Sequence, residues 1–140
     1  MRLRQILVGA CAAGVLVLSG CAGENNGFEI FDREATSKDA LPDYFGEFMD
    51  EDEYDLDSVR LAGSYEDLDF YLLRTSTGGV CLAVAADPPS QSGTSCGGLP
   101  GSTLTMGTPA GTFELSPAPV AEEDGWIVIS ENIRMLDSEN

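Results

Sequence analysis

The sequence predicts a mainly all-β protein with a small antiparallel sheet, curled or sandwich-like, and one short helix towards the N-terminus. Residues 58–140 contain six or seven short runs in which side chains alternate, mostly apolar with polar or small. This two-residue period is that of a β-strand. The runs recur roughly every 10 residues, a spacing typical of antiparallel β-domains. Glycine and proline stand between the runs and predict turns. A chain of 140 residues is long enough for one domain of this kind.

The predicted strands are centred on these runs and end where glycine or proline interrupts them. Gly63 closes the first strand, and Pro88 and Pro89 stop the third because proline cannot donate a hydrogen bond to a ladder. The stretch 90–100 that follows is rich in serine and glycine around Cys96. In chain order, the predicted strands are Val59–Ala62, Phe70–Leu73, Val80–Ala85, Leu104–Met106, Phe113–Leu115, Trp126–Ile129 and Ile133–Met135.

Residues 1–20 have the pattern of a segment that is removed before the protein folds. Arg2 and Arg4 form a basic start, and an apolar run from Ile6 to Leu18 follows. This run is shorter than the roughly 20 residues that a membrane-spanning helix needs. A basic start, a short apolar run and small residues at a cleavage point are typical of an exported precursor.

The residues at the end of this run, Leu18-Ser19-Gly20-Cys21, resemble the lipobox of bacterial lipoproteins, Leu-(Ala/Ser)-(Gly/Ala)-Cys. The resemblance implies a diacylglyceryl thioether on Cys21 and cleavage between Gly20 and Cys21 by the lipoprotein signal peptidase. Stable anchoring takes about two acyl chains, and one diacylglyceryl group supplies both. We therefore expect a protein that is lipid-anchored on the extracytoplasmic face of the cell membrane. The alternative is an ordinary secretory signal that is cut nearby.

The charge of the chain restricts its partners and its chemistry. The sequence contains 7 Lys and Arg against 24 Asp and Glu, a net charge of -17, and it contains no His. Nucleic acid is not expected as a partner, because phosphates are bound by clustered Lys and Arg. His-based acid–base catalysis and imidazole zinc sites are excluded by composition. We expect no cofactor.

The acidic residues are concentrated before the first predicted strand. From Glu24 to Asp57 there are 13 acidic and two basic residues. Blocks of like charge repel one another and are typical of solvated segments, so residues 21–57 are predicted to be a lipidated acidic tether and residues 58–140 the β domain. Within the tether, a short helix is predicted over 39–49. Its apolar stripe follows i, i+3, i+4, i+7 spacing through Leu41, Tyr44, Phe45 and Phe48.

Cys81 and Cys96 are the thiols that remain in the mature chain besides Cys21. Export places them in an oxidising compartment, which favours a disulfide between them. Closing a loop of about 15 residues contributes roughly 3 kcal/mol to stability in the chain-entropy model. Free buried thiols are the main alternative, and a redox pair is disfavoured because the two do not form Cys-x-x-Cys.

Two further constellations suggest functions other than simple binding. Asp50, Asp52, Asp55 and Asp57 are weak candidates for a calcium site, although their spacing lacks the glycine of an EF-hand loop. Carboxylate pairs are also the catalytic groups of glycosidases, so a cell-wall hydrolase is a less favoured alternative. Trp126, in a predicted strand, is a candidate for a binding surface or for the core.

Short motifs across residues 58–135 resemble a loose group of small lipoproteins from high-GC Gram-positive bacteria. They are Arg60-Leu61-Ala62-Gly63, Gly79-Val80-Cys81-Leu82, Cys96 and Gly125-Trp126. The resemblance implies a compact domain with one cysteine pair and supplies no catalytic residues. We expect a non-catalytic binding or interaction module at the cell envelope. A calcium-dependent structural or adhesion protein is the alternative, and the protein or small-molecule partner is not specified by the sequence.

Overall fold

The computed structural model describes residues 27–97 and 101–139, and it confirms the mainly β architecture. The predicted signal peptide and Cys21 lie outside the described residues. In the described part no helix is long and apolar enough to span a membrane. The strands are β1 (Tyr54–Tyr65), β2 (Leu68–Thr75), β3 (Val80–Ala86), β4 (Gly93–Cys96), β5 (Leu104–Thr108), β6 (Gly111–Leu115), β7 (Trp126–Ser130) and β8 (Ile133–Leu136). Short 3-10 helices span Glu29–Asp32, Ser37–Asp39, Asp43–Glu47 and Pro89–Gln91.

The strands form two antiparallel four-stranded sheets. The first has the order β1-β2-β3-β4 and the second β5-β6-β8-β7. Alternation along the strands directs one apolar set from each sheet into a shared core, where Phe70 and Phe113 meet edge to face at 5.3 Å between ring centroids. The buried residues of this core are Phe28, Phe70, Leu72, Val80, Leu82, Val84, Met106, Phe113, Leu115 and Ile133.

Glycines allow the edges of the two sheets to approach one another. A Cβ atom on Gly63 in β1 would lie 3.2 Å from the carbonyl oxygen of Ile129 in β7. On the other side, a Cβ atom on Gly93 in β4 would lie 2.8 Å from Cγ2 of Thr108 in β5. Gly63 was predicted to end the first strand, but β1 continues through it to Tyr65. Its role is close packing between sheets, not strand termination.

The segment before β1 belongs to the fold. Phe28 is 2% exposed in the core between the sheets, whereas Phe45 and Met49 are 1% and 6% exposed on the opposite face of the first sheet. The prediction of a tether over 21–57 is therefore wrong for residues 27–57. The predicted domain boundary at 58 also falls inside β1, which begins at Tyr54. The segment folds because its aromatic side chains are buried while its carboxylates stay in solvent.

The helix predicted over 39–49 is realised as the five-residue 3-10 helix Asp43–Glu47. Pro42 occupies its N-terminal cap, and Phe45 is buried against the first sheet. Phe48 leaves helical geometry at the C-terminal cap and is 56% exposed. A 3-10 helix has three residues per turn, so the predicted α-helical stripe does not form.

A disulfide joins Cys81 in β3 to Cys96 in β4, as the sequence predicts. The two residues are directly opposite in the ladder, and Cys81 is fully buried under the N-terminal segment. Strand β4 has only four residues and lies at the edge of its sheet. The disulfide therefore holds a short edge strand in register.

We expect the double variant Cys81→Ala/Cys96→Ala to lose about 3 kcal/mol of unfolding free energy, because the cross-link closes a separation of 15 residues. Urea unfolding followed by Trp126 fluorescence measures the difference. The wild-type protein unfolded with dithiothreitol is the control and is expected to match the variant. Equal urea midpoints for the variant and the oxidised wild type would contradict a stabilising disulfide.

Candidate functional site

A buried carboxylate fastens the N-terminal segment to β1. Asp39 is 4% exposed and accepts two hydrogen bonds from the Arg33 guanidinium, at 2.6 and 2.8 Å. It also accepts the Leu61 N–H at 2.7 Å and the Thr36 N–H at 2.6 Å. Arg33 Nη2 in turn donates to the Leu61 carbonyl oxygen at 3.3 Å. Because β1 is an edge strand, Arg33 and Asp39 satisfy backbone groups of Leu61 that have no neighbouring strand.

These donors set the ionisation of the carboxylate. The Arg33 hydrogen bonds, opposed by burial and helped by the Thr36 and Leu61 N–H groups, hold the pKa of Asp39 well below the ordinary value of an aspartate. The same pairing raises the pKa of Arg33. The carboxylate is therefore ionised and fully engaged in hydrogen bonds, which makes it a structural group.

The contacts of Asp39 with Arg33 and Leu61 were not predicted from the sequence, although a local signal exists for the contact with Thr36. Thr36 and Asp39 form a capping box: the Thr36 side chain accepts from the Lys38 N–H, and the Asp39 side chain accepts from the Thr36 N–H. The pattern Thr-x-x-Asp is a sequence signature of this motif, in which Asp stands where Glu is usual. The bonds to Leu61 carry no such signal because they join residues far apart in the chain.

A large bulge in β1 lies beside this tie. Asp55 pairs with Arg74, and Arg60 pairs with Leu72, so β1 takes five residue steps where β2 takes two. The buried Ser58 hydroxyl fills the gap, donating to the Asp55 carbonyl at 2.6 Å and accepting from the Arg74 N–H at 2.7 Å. The extra residues leave the ladder and form one wall of a surface groove, an arrangement that bulges often support near functional sites.

The groove lies between this bulge and the 3-10 helix Asp43–Glu47, with a volume of about 300 Å³. Gly46, one of the lining residues, is exposed, and a Cβ atom there would meet nothing within 4 Å. Leu56 and Met49 continue the surface into a second, larger depression that Phe48 also lines. The groove is lined by Asp39, Ala40, Leu41, Pro42, Asp43, Phe45, Gly46, Met49, Leu56 and Val59.

Exposed carboxylates line the groove and two adjoining depressions that share Leu56 with it, and they form what we call the acidic rim. In residues 27–97 and 101–139, the salt bridges are Arg33–Asp39 and the two that Arg134 makes with Glu114 and Glu123. None of them involves the rim, which therefore carries uncompensated negative charge. The acidic rim consists of Asp43, Glu47, Asp50, Glu51, Asp52, Asp55 and Asp57.

The four candidate calcium ligands all lie in this rim. The structure does not assemble Asp50, Asp52, Asp55 and Asp57 into a coordination site: across its described residues, no three Asp, Glu or Cys side chains are grouped so as to hold a metal ion. The Oδ1 atom of Asp50 accepts the Asp52 N–H at 2.9 Å, an ordinary turn contact. Their common feature is a shared exposed surface.

Trp126 lies on the second sheet, away from the groove. Its ring packs under the Arg134 guanidinium, 4.3 Å from the ring centroid, and Arg134 is held by Glu114 and Glu123 at 2.8 Å each. Val128, on the same strand, is 41% exposed. The Trp126 ring therefore already has a cation on one face.

No protein-family model, curated protein or solved structure matches the chain. The groove, its acidic rim and the sequence are therefore the grounds on which a function is proposed.

We expect Asp39→Asn to lower the unfolding free energy at pH 7 by about 2 kcal/mol, the range for hydrogen bonds to charged groups. Because the folded pKa lies below the unfolded one, the tie stabilises the fold above about pH 4 and is lost as the pH falls further. The wild type should therefore lose more stability than the variant between pH 5 and pH 2. Urea unfolding across this pH range measures both effects.

Asp43→Asn is the matched control, because Asp43 is exposed and lies in none of the described ion pairs. Its unfolding free energy should change by no more than about 0.5 kcal/mol. The same urea midpoint and the same pH profile for Asp39→Asn and wild type would contradict the assigned tie.

Proposed function

We propose that the protein is a lipid-anchored, non-catalytic binding module of the cell envelope, which presents the groove to a ligand outside the membrane. The observation that carries the proposal is an open apolar groove, about 300 Å³ in volume, beside the acidic rim, whose carboxylates take part in none of the salt bridges among the described residues. Ligand sites are commonly concave and mostly apolar with a few polar groups, and this groove lies at the small end of their size range.

The lipobox at Leu18–Cys21 supports the anchor. A diacylglyceryl group on Cys21 supplies the two chains that stable anchoring needs. Phe28, seven residues after Cys21, is already in the core. Seven peptide steps from Cys21 to Phe28 span at most about 25 Å, which keeps the domain near the membrane surface.

The charged groups support a non-catalytic role. The chain contains no His. Among the carboxylates of the described residues, Asp39 alone is buried, and its oxygens are occupied by Arg33, Thr36 and Leu61. Catalytic carboxylates need burial or a charged neighbour to tune them and an open position for the substrate. Asp39 is buried but leaves no open position for a substrate.

The anchor is tested by metabolic labelling with an alkyne fatty acid, followed by membrane fractionation. We expect the wild type to carry the label and to sediment with membranes, and Cys21→Ala to be unlabelled because it lacks the acceptor sulfur. Cys11→Ala is the matched control, since Cys11 lies within the apolar run and not in the lipobox, and it should behave as wild type. Label that persists on Cys21→Ala would overturn the anchor.

A further inference from the structure

We infer that the ligand of the groove is a cationic amphipathic peptide segment, with apolar side chains that enter the groove and Lys or Arg side chains that meet the acidic rim. The inference rests on the proposed function and specifies the partner of the same site. It follows from three properties of this surface: its apolar floor, its uncompensated charge and the exposed Phe48 in the adjoining depression.

The floor of the groove selects an apolar group. Leu41 and Leu56, both half-buried, line it together with the buried Met49 and Val59, and apolar contact with a ligand would remove the remaining exposed surface of the two leucines from water. Met49, 6% exposed, contributes little contact area, but its flexible, polarisable side chain lets the lining adjust to the shape of a partner. Phe48, 56% exposed next to the groove, offers the kind of aromatic contact that dominates binding energy in protein interfaces.

The acidic rim favours a positively charged ligand. Its members stand on both sides of the groove, with Asp43 and Glu47 on the 3-10 helix and Asp55 and Asp57 on the bulge. With no described salt bridge to any of them, this surface has a strongly negative potential. A cation that binds here gains attraction from several carboxylates and needs no buried ion pair.

The same charge excludes other occupants. A second copy of this chain, with its net charge of -17, would bring like charge against the rim. An anionic lipid surface is repelled for the same reason. A neutral apolar ligand fits the floor but leaves the carboxylates unused. A basic amphipathic segment is the occupant that satisfies both the floor and the rim.

Methionine-methyl NMR on the full chain in nonionic detergent micelles tests the inference. Met49 reports on the groove, whereas the buried Met106 and the half-buried Met135 report on the rest of the domain. The two probes are an octapeptide that alternates Lys with Leu and the same peptide with Gln in place of Lys. We expect the Lys peptide to shift the Met49 methyl signal saturably, and the Gln peptide to bind at least 10-fold more weakly.

Two glycine variants locate the binding. Gly46 lines the groove, and Gly46→Leu adds a bulky side chain there whose Cβ atom meets no steric conflict, so this variant should abolish the shift of Met49. Gly107→Leu is the matched control: a Cβ atom there also meets nothing within 4 Å, but Gly107 lies in β5 of the other sheet. It should leave the titration unchanged. Asp55→Asn and Asp57→Asn should each weaken binding by about 1.4- to 5-fold, as expected for exposed ion pairs.

The outcomes separate this inference from the proposed function. Equal Met49 shifts with both peptides, insensitive to salt, would overturn a charge-selected ligand and leave the groove as a binding site. No Met49 shift with either peptide at millimolar concentration would overturn the groove as a binding site and the inference together. Met49 shifts that persist in Gly46→Leu, or that are matched by equal shifts of Met106 and Met135, would also overturn the groove as the binding site.

Discussion

The architecture of this protein depends on the Asp39 carboxylate. It joins Arg33 and Thr36 of the N-terminal segment to the Leu61 N–H of β1, residues separated by up to 28 positions in the chain. Without this junction, the exposed edge of β1 would lack hydrogen-bond partners and the segment 40–49 would lack a fixed starting point. That segment covers the outer face of the first sheet, including Cys81. It also supplies one wall of the groove, so a structural ion pair positions the candidate binding surface.

The N-terminal segment folds despite its high charge because its carboxylates lie in solvent and its apolar side chains lie in the core. Its carboxylates, except Asp39, remain exposed and incur no desolvation cost. Phe28, Phe45 and Met49 are buried on opposite faces of the first sheet. The first sheet is consequently a central layer, which explains why β3 is buried along its whole length. The acidic charge that would destabilise an isolated segment is instead displayed at the surface, beside the candidate binding groove.

The sequence predicted the elements with strong local signals and missed those that depend on distant contacts. Short apolar runs between turn residues located β2 and β3, and export favoured the Cys81–Cys96 bond. Strand β4 was not predicted, because its sequence Gly-Thr-Ser-Cys has no apolar alternation. The ladder with β3 and the disulfide hold this strand in place. The acidic composition of residues 21–57 suggested a tether. The Asp39–Leu61 hydrogen bond that contradicts it joins residues 22 positions apart, and a contact of this kind leaves no local signal in the sequence. The rim residues were recognised as an acidic run, but the groove arises only when the bulge of β1 meets the segment 41–49.

Amide hydrogen exchange of the N-terminal segment tests the central claim most directly. If Asp39 fastens this segment to the sheet, the Leu61 N–H and the Phe45 N–H, which is bonded to the Pro42 carbonyl at 3.0 Å, should exchange far more slowly than in an unstructured peptide. Their protection should fall in Asp39→Asn while Leu82, in the inner strand β3, stays protected. Exchange of Leu61 and Phe45 at the rate of an unstructured chain, with Leu82 fully protected, would contradict the account.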